Sequence, residues 1–284
     1  MKFFSFIFSL LLFLINPAFA QKDLPTRVIN ETPFILGIVD TIKSAELAEN
    51  RVLNIYLPEG YSPDFAIAYP VVYLLDGSAN EDFIHIAGLV QFLTMIKAMP
   101  ASIVVGIANI DRRRDFTFPT DIAEDKKNYP STGSSSKFIA FIEKELQPFV
   151  ERKYKTNDSK TIIGQSLGGL LATEILLKEP GLFNNYIIVS PSLWWNNESL
   201  LKEAPELLKK QTGNAVKVYV SVGAEGKQME DDAKKLAEIL ETFCKKNTSI
   251  SFLSLPNESH LTILHNSVYK GFEILYPKKI TEVK

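Results

Sequence analysis

Lys160-Thr161-Ile162-Ile163-Gly164-Gln165-Ser166-Leu167-Gly168-Gly169-Leu170-Leu171-Ala172-Thr173-Glu174-Ile175-Leu176-Leu177-Lys178 carries more structural information than any other part of this chain. Its first four residues, rich in β-branched side chains, read as a buried strand, and the run after Gly169 has the apolar spacing of a helix. Between them lies G-x-S-x-G. A serine at so sharp a strand-to-helix turn takes a strained backbone conformation, so the residues two away on each side must be small. The turn is a nucleophile elbow, with Ser166 standing clear of the sheet and the Leu167 amide, at the helix start, aimed where an oxyanion would form. Gly169 is expected to let the helix pack close to the sheet.

Strands and helices alternate outward from this point, the pattern of a mostly parallel central sheet with helices on both faces. Strands are expected at 51–57, 69–75, 102–107, 186–189, 216–222 and 250–255, with 34–39 as an antiparallel edge strand. Helices are expected at 81–99, 135–154, 229–245 and 268–275. Residues 109–133, rich in Arg, Asp, Pro, Ser and Thr, read as a long irregular excursion, and loops of that length in compact domains are usually functional or mobile. The segment 190–213, with Trp194 and Trp195, is expected to help cover the site. Together with the elbow this is the α/β-hydrolase fold, a single domain over 21–284.

Residues 1–20 are read apart from that domain. Lys2, the apolar run from Phe3 to Ile15, and Ala18-Phe19-Ala20 have the layout of a secretory signal peptide cleaved before Gln21, so the protein is expected to be exported, periplasmic or secreted. The run is short for a stop-transfer helix, with a retained anchor as the alternative. No cysteine follows the cleavage site to carry a lipid. The one cysteine of the 284 residues, Cys244, cannot form an internal disulfide and reads as a small core residue of a helix. One thiol and three histidines argue against a Cys/His zinc site, and a net charge of −2, from 31 basic and 33 acidic residues, argues against a general nucleic-acid binder.

A serine hydroxyl needs a base. His260, in the loop after the last strand, satisfies the chain order nucleophile, acid, histidine; His85 and His265 read as structural or exposed. The acid, which would orient the imidazole, should follow strand 216–222, where Glu225 is best placed. Glu230, Asp231 and Asp232 compete with it, although the N-terminus of the next helix favours acids anyway. A dyad without a strong acid is the other possibility. The second oxyanion amide is assigned to Ser78, after Asp76-Gly77, with Asp76 read as a turn residue.

Leu74-Leu75-Asp76-Gly77, Ile107-Ala108-Asn109, Arg112-Arg113-Arg114-Asp115-Phe116-Thr117, Gly164-Gln165-Ser166-Leu167-Gly168-Gly169, Ser190-Pro191-Ser192-Leu193-Trp194-Trp195, and His260 with Gly271 recur in order. On these the chain resembles the putative esterase (esterase D-like) family of α/β-hydrolases. Within it the chain is most similar to the exported ferric-siderophore trilactone esterases of the enterochelin and salmochelin type. The resemblance spans roughly residues 30–277. It implies a cofactor-free hydrolase with Ser166 as nucleophile and His260 as base, acting on esters of catecholate-serine units. Where the family often carries His before the nucleophile, this chain has Gln165. Some siderophore-hydrolysing relatives work as a Ser–His dyad, which weakens the case for Glu225. Because ferric catecholates are anionic and aromatic, Arg112, Arg113 and Arg114 are candidate anion contacts and Trp194 and Trp195 candidate stacking surfaces, against pairing of an arginine with Asp111 or Asp115 and core packing of the indoles. The family also holds feruloyl esterases. A feruloyl or acetyl-xylan type carbohydrate esterase is therefore the first alternative, and a non-catalytic periplasmic binding protein on the same fold the second. No metal, nucleic acid or membrane partner is expected for the mature chain.

Overall fold

The computed structural model describes residues 30–211, 215–244 and 247–277. Residues 1–20 lie outside them, as does the Lys245 end of the expected 229–245 helix. Residues 30–35 are exposed and without regular structure. From Leu36 onward the described chain forms one compact unit. Among the described residues no helix is long and apolar enough to cross a membrane.

The sheet comprises β1 (Ile38–Ser44), β2 (Glu49–Tyr56), β3 (Tyr69–Leu74), β4 (Ile103–Ile107), β5 (Thr156–Gln165), β6 (Asn185–Val189), β7 (Lys217–Gly223) and β8 (Ser249–Leu255), in the order β1-β2-β4-β3-β5-β6-β7-β8. β1 and β2 run antiparallel to their neighbours and the rest are parallel. The edge strand is thus present but starts at Ile38, four residues later than the sequence suggested.

Because a parallel strand is buried on both faces, alternate residues feed two cores. Val71, Tyr73, Ile162, Tyr186 and Ile188 face one core, and Val72, Leu74, Ile163, Ile187 and Val189 the other. The second core is covered by α1 (Phe83–Met95) and α9 (Ile263–Leu275); the first is covered mainly by α4 (Ser135–Phe141), α5 (Gln147–Lys153), α6 (Leu167–Lys178), α7 (Trp195–Lys210) and α8 (Lys227–Phe243). Right-handed crossovers explain the split. The chain winds one way from β3 to β4, which puts α1 on one face, and the other way from β4 through to β8, which puts α4 to α8 on the opposite face. The reversal between β3 and β5 is where ligand sites form in such sheets, beyond the carboxyl ends of the strands.

Two expected elements differ in detail. The 135–154 helix is interrupted at 142–146 by one wide π turn before α5. Pro148, without an N–H, cannot complete the bond to the carbonyl four residues back, and the wider turn accommodates the missing donor. The 109–133 excursion holds two short helices, α2 (Arg112–Phe116) and α3 (Ala123–Asn128). Its ends are stitched together: Ser134 N–H donates to Arg114 O at 3.0 Å and Ser135 N–H to Thr117 O at 3.0 Å.

Charge fixes α2 to the sheet. Arg51 and Asp115, each with a side chain 0% exposed, pair at 2.8 Å; Arg51 also binds Glu49, and Arg114 binds both Asp115 (2.7 Å) and Glu49 (2.6 Å). Asp115→Ala should lower unfolding free energy by about 3–5 kcal/mol, since it strands a buried guanidinium without its main partner. A urea titration checks this, and an unchanged midpoint would refute the structural role.

Candidate active site

Ser166 sits between β5 and α6 with φ 59° and ψ −119°. Few non-glycine residues adopt that backbone, and it persists only where the surroundings enforce it. The surroundings here are close contacts. A Cβ on Gly164 would lie 2.3 Å from the Gly168 carbonyl oxygen, and one on Gly169 would lie 2.9 Å from Pro191 Cα and 3.0 Å from Val189 O. The expectation of small neighbours around the serine and of close helix packing at Gly169 therefore has a steric cause. The Leu167 amide opens α6, among the N–H groups that a helix leaves without an internal partner.

His260 lies five residues beyond β8, and its Nδ1 is 2.5 Å from Oε2 of Glu225, two residues beyond β7. An ionised carboxylate only accepts, so Nδ1 carries the proton and Nε2 is left basic. The Glu225 side chain is 2% exposed. Burial pushes its carboxyl up, but hydrogen bonds from His260, the Ser190 hydroxyl and the Gly223 amide outweigh that and hold it below the usual glutamate range. Of the competing acids, Glu230 caps the turn by accepting from the amides of Glu225 and Gly226, both at 3.0 Å. Asp231 pairs with Lys227, and Asp232 is buried at 4% exposure with its carboxyl pushed up to about 6 by burial and Glu198.

Ser166 and His260 line one open cleft of about 380 Å³ with Asp76, Glu81, Asp82, Arg112, Gln165 and Leu261. The hydroxyl partner of Ser166 is Ser192 Oγ at 3.3 Å rather than the imidazole. Catalytic hydrogen bonds often tighten only with substrate present, so this rotamer does not remove His260 as the base.

Three ties that the sequence reading did not anticipate hold these parts in register. Arg112 grips Asp76 with Nε (2.6 Å) and Nη2 (2.9 Å) and donates to Gln165 O at 3.2 Å, which locks the turn after β3 to the elbow. Gln165 Nε2 donates to the His260 carbonyl at 2.5 Å. Ser190 Oγ donates to Glu225 Oε1 at 2.5 Å while Ser192, two residues on, meets the nucleophile. The recurring Ser-Pro-Ser and Asp-Gly segments carried the signal, but their partners are fixed only by tertiary structure.

Asp76 is a turn residue, with φ 55°. The Gly77 amide is taken by Ile107 O at 3.0 Å, and a Cβ there would meet the Gly106 backbone at 2.4 Å. Ser78 follows; its hydroxyl accepts from the Asn109 amide at 3.2 Å, and the residue is not among those lining the cleft. Two substrate-contact expectations are corrected. Arg114 is engaged by Asp115 and Glu49, and Trp195 is 1% exposed with its indole N–H donating to Phe118 O at 2.9 Å, so both support the fold. Arg113 is exposed, its guanidinium 4.9 Å from the Tyr129 ring, which in turn lies 6.1 Å from half-buried Trp194. Cys244 caps the C-terminus of α8, half-buried and packed against the edge of the first core.

The family model described as Putative esterase matches residues 44–261. Ferri-bacillibactin esterase BesA of Bacillus subtilis (strain 168) is 30% identical over 239 residues, covering 76% of this chain and 82% of its own. The IroE-like serine hydrolase from Shewanella oneidensis superposes with a TM-score of 0.78 at 31% identity, over 84% of this chain and 80% of that one. The BES protein from Bacillus cereus does so with 0.75 at 28%, over 89% and 100%. Sheet order, elbow and family match agree: the chain belongs to the Putative esterase family, with the α/β-hydrolase fold, and is an ester hydrolase.

Proposed function

We propose that the protein hydrolyses esters through a Ser166–His260–Glu225 acyl-enzyme mechanism, on siderophore esters of the kind its relative BesA is named for. The observation that carries the mechanism is the His260–Glu225 contact beside a serine on a strained elbow. His260 Nε2 takes the proton of Ser166 as Oγ bonds to the carbonyl carbon. The amides of Leu167 and Ser78 donate to the oxyanion. The C–O bond to the leaving alcohol then breaks, and that oxygen takes the proton from His260. Water repeats the sequence on the acyl-enzyme, returning the proton to Ser166. Glu225 holds the imidazole tautomer and stabilises the imidazolium. Arg113 and Trp194, with Tyr129, form the cationic and aromatic surface offered to an anionic catecholate.

A specific observation favours a second reading, a feruloyl-type carbohydrate esterase. The carboxylates of Asp76, Glu81 and Asp82 line the serine's cleft against the single guanidinium of Arg112, which suits a neutral aryl ester better than a highly charged iron complex. Ferric enterobactin and methyl ferulate, assayed side by side, separate the two. Ser166→Ala should remove turnover of whichever is cleaved, by at least about 10³-fold, while the thermal midpoint stays nearly constant. Retained turnover would overturn the mechanism.

The Glu225 carboxyl also predicts a pH dependence of stability. Its folded pKa lies below the ordinary 4.5, so the unfolded chain binds more protons near that pH. Its contribution is complete above the ordinary value and is lost as pH falls through the folded one. From about pH 5 to about pH 3 the wild-type denaturation midpoint should therefore fall more steeply than that of Glu225→Gln. Parallel slopes would remove Glu225 from the ionised pair.

We also assign the protein to the exported class on residues 1–20. N-terminal sequencing of protein recovered outside the cytoplasm should begin at Gln21; retention of Met1 would contradict this.

A further inference from the structure

Away from Ser166, α1 and α9 meet at a pair of histidines. Nδ1 of His85 is 3.2 Å from Nδ1 of His265, with the rings 5.4 Å apart and tilted by 41°. The other nitrogen of His85, Nε2, is 3.2 Å from Oδ1 of Asp82. His85 is half-buried and His265 exposed, so the two facing nitrogens are reachable from solvent.

We propose that His85 and His265 chelate a divalent transition-metal ion of the zinc–copper–nickel class, with Asp82 orienting His85 from behind. Three features support this. Two imidazole nitrogens bound at about 2.0–2.1 Å to one tetrahedral ion lie roughly 3.3–3.4 Å apart, close to the separation here. The Asp82 carboxylate accepts from Nε2–H and so leaves Nδ1 of His85 unprotonated; that lone pair faces Nδ1 of His265 at hydrogen-bond distance, and a metal ion would take the place of the proton between them. A carboxylate on the far nitrogen is the usual outer partner of a metal-bound histidine. Finally, the Asp82 carboxylate beside His85 supplies a negative charge, which suits a cation, and imidazole selects transition metals over calcium or magnesium. Among the described residues no cluster of three or more His, Cys, Asp or Glu is placed for one ion, so water would complete the coordination.

The site would join two elements that bear on the catalytic cleft. α1 is preceded by the cleft residues Glu81 and Asp82, and α9 by the loop carrying His260. An ion bridging them would clamp these walls together. The proposal does not depend on the ester mechanism, and its test does not use activity.

Protein prepared without a histidine tag is titrated calorimetrically with Zn2+ and Cu2+, and its thermal midpoint is followed with and without metal. Wild type should bind one equivalent in the micromolar range and melt higher when loaded. His85→Gln and His265→Gln should each lose that binding and that shift, with metal-free midpoints close to wild type confirming that they fold. Asp82→Asn should weaken binding by about tenfold or more. His260→Gln should bind like wild type. No saturable micromolar binding by wild type, undiminished binding in the two histidine variants, or loss of binding in His260→Gln would each overturn the assignment.

Discussion

One strained residue organises this molecule. The positive φ of Ser166 is tolerable only because β5, α6 and the segment after β6 press together without intervening side chains, at Gly164, Gly168 and Gly169. Such a backbone costs on the order of 1–3 kcal/mol, supplied by the surrounding packing. The two hydrophobic cores are therefore not background to the chemistry. Tyr186, Ile188 and Leu170 on one side, and Ile163 and Val189 on the other, hold the strand and helix whose junction projects the hydroxyl.

Parallel topology does the remaining positioning. The strand ends of β3, β5, β6, β7 and β8 all open on one edge, so residues separated by more than a hundred positions become neighbours without long connections. Polar ties then set the spacing between strand ends: Arg112 joins β3's turn to β5, Gln165 joins β5 to the β8 loop, and Ser190 joins β6's end to the β7 loop. Each tie is partly buried and charge-assisted or short, the kind of bond that costs most to leave unmade.

Much of this could be read from the chain. β-branched runs of four to six residues located the parallel strands, since strands buried on both faces are almost continuously apolar. The elbow glycines, His260 and Glu225 followed from chain order along strand ends. Side-chain partnership was less legible. Three adjacent arginines look alike in sequence, yet Arg112 enters the cleft, Arg113 lies over an aromatic ring and Arg114 joins a buried ion-pair network. Only the positions of Asp76, Tyr129 and Glu49, all distant in sequence, distinguish them. The two tryptophans diverge for a similar reason: Trp195 finds the Phe118 carbonyl and is buried, while Trp194 does not. The break at 142–146 shows the limit of periodicity, because the apolar stripe continues across a turn that a single proline has widened.

The stitched ends of the 109–133 excursion have an evolutionary meaning. Hydrogen bonds from Ser134 and Ser135 close its base, and the Arg51–Asp115 pair bolts that base to β2. Between those anchors Phe118, Thr120 and Asp121 bond to Trp195 and Asn196 at the start of α7, so changes of length or composition fall to the exposed residues beyond them. Closing a longer loop adds only fractions of a kcal/mol per few residues. A lineage of such enzymes could vary the exposed part of this stretch while the sheet beneath stayed fixed.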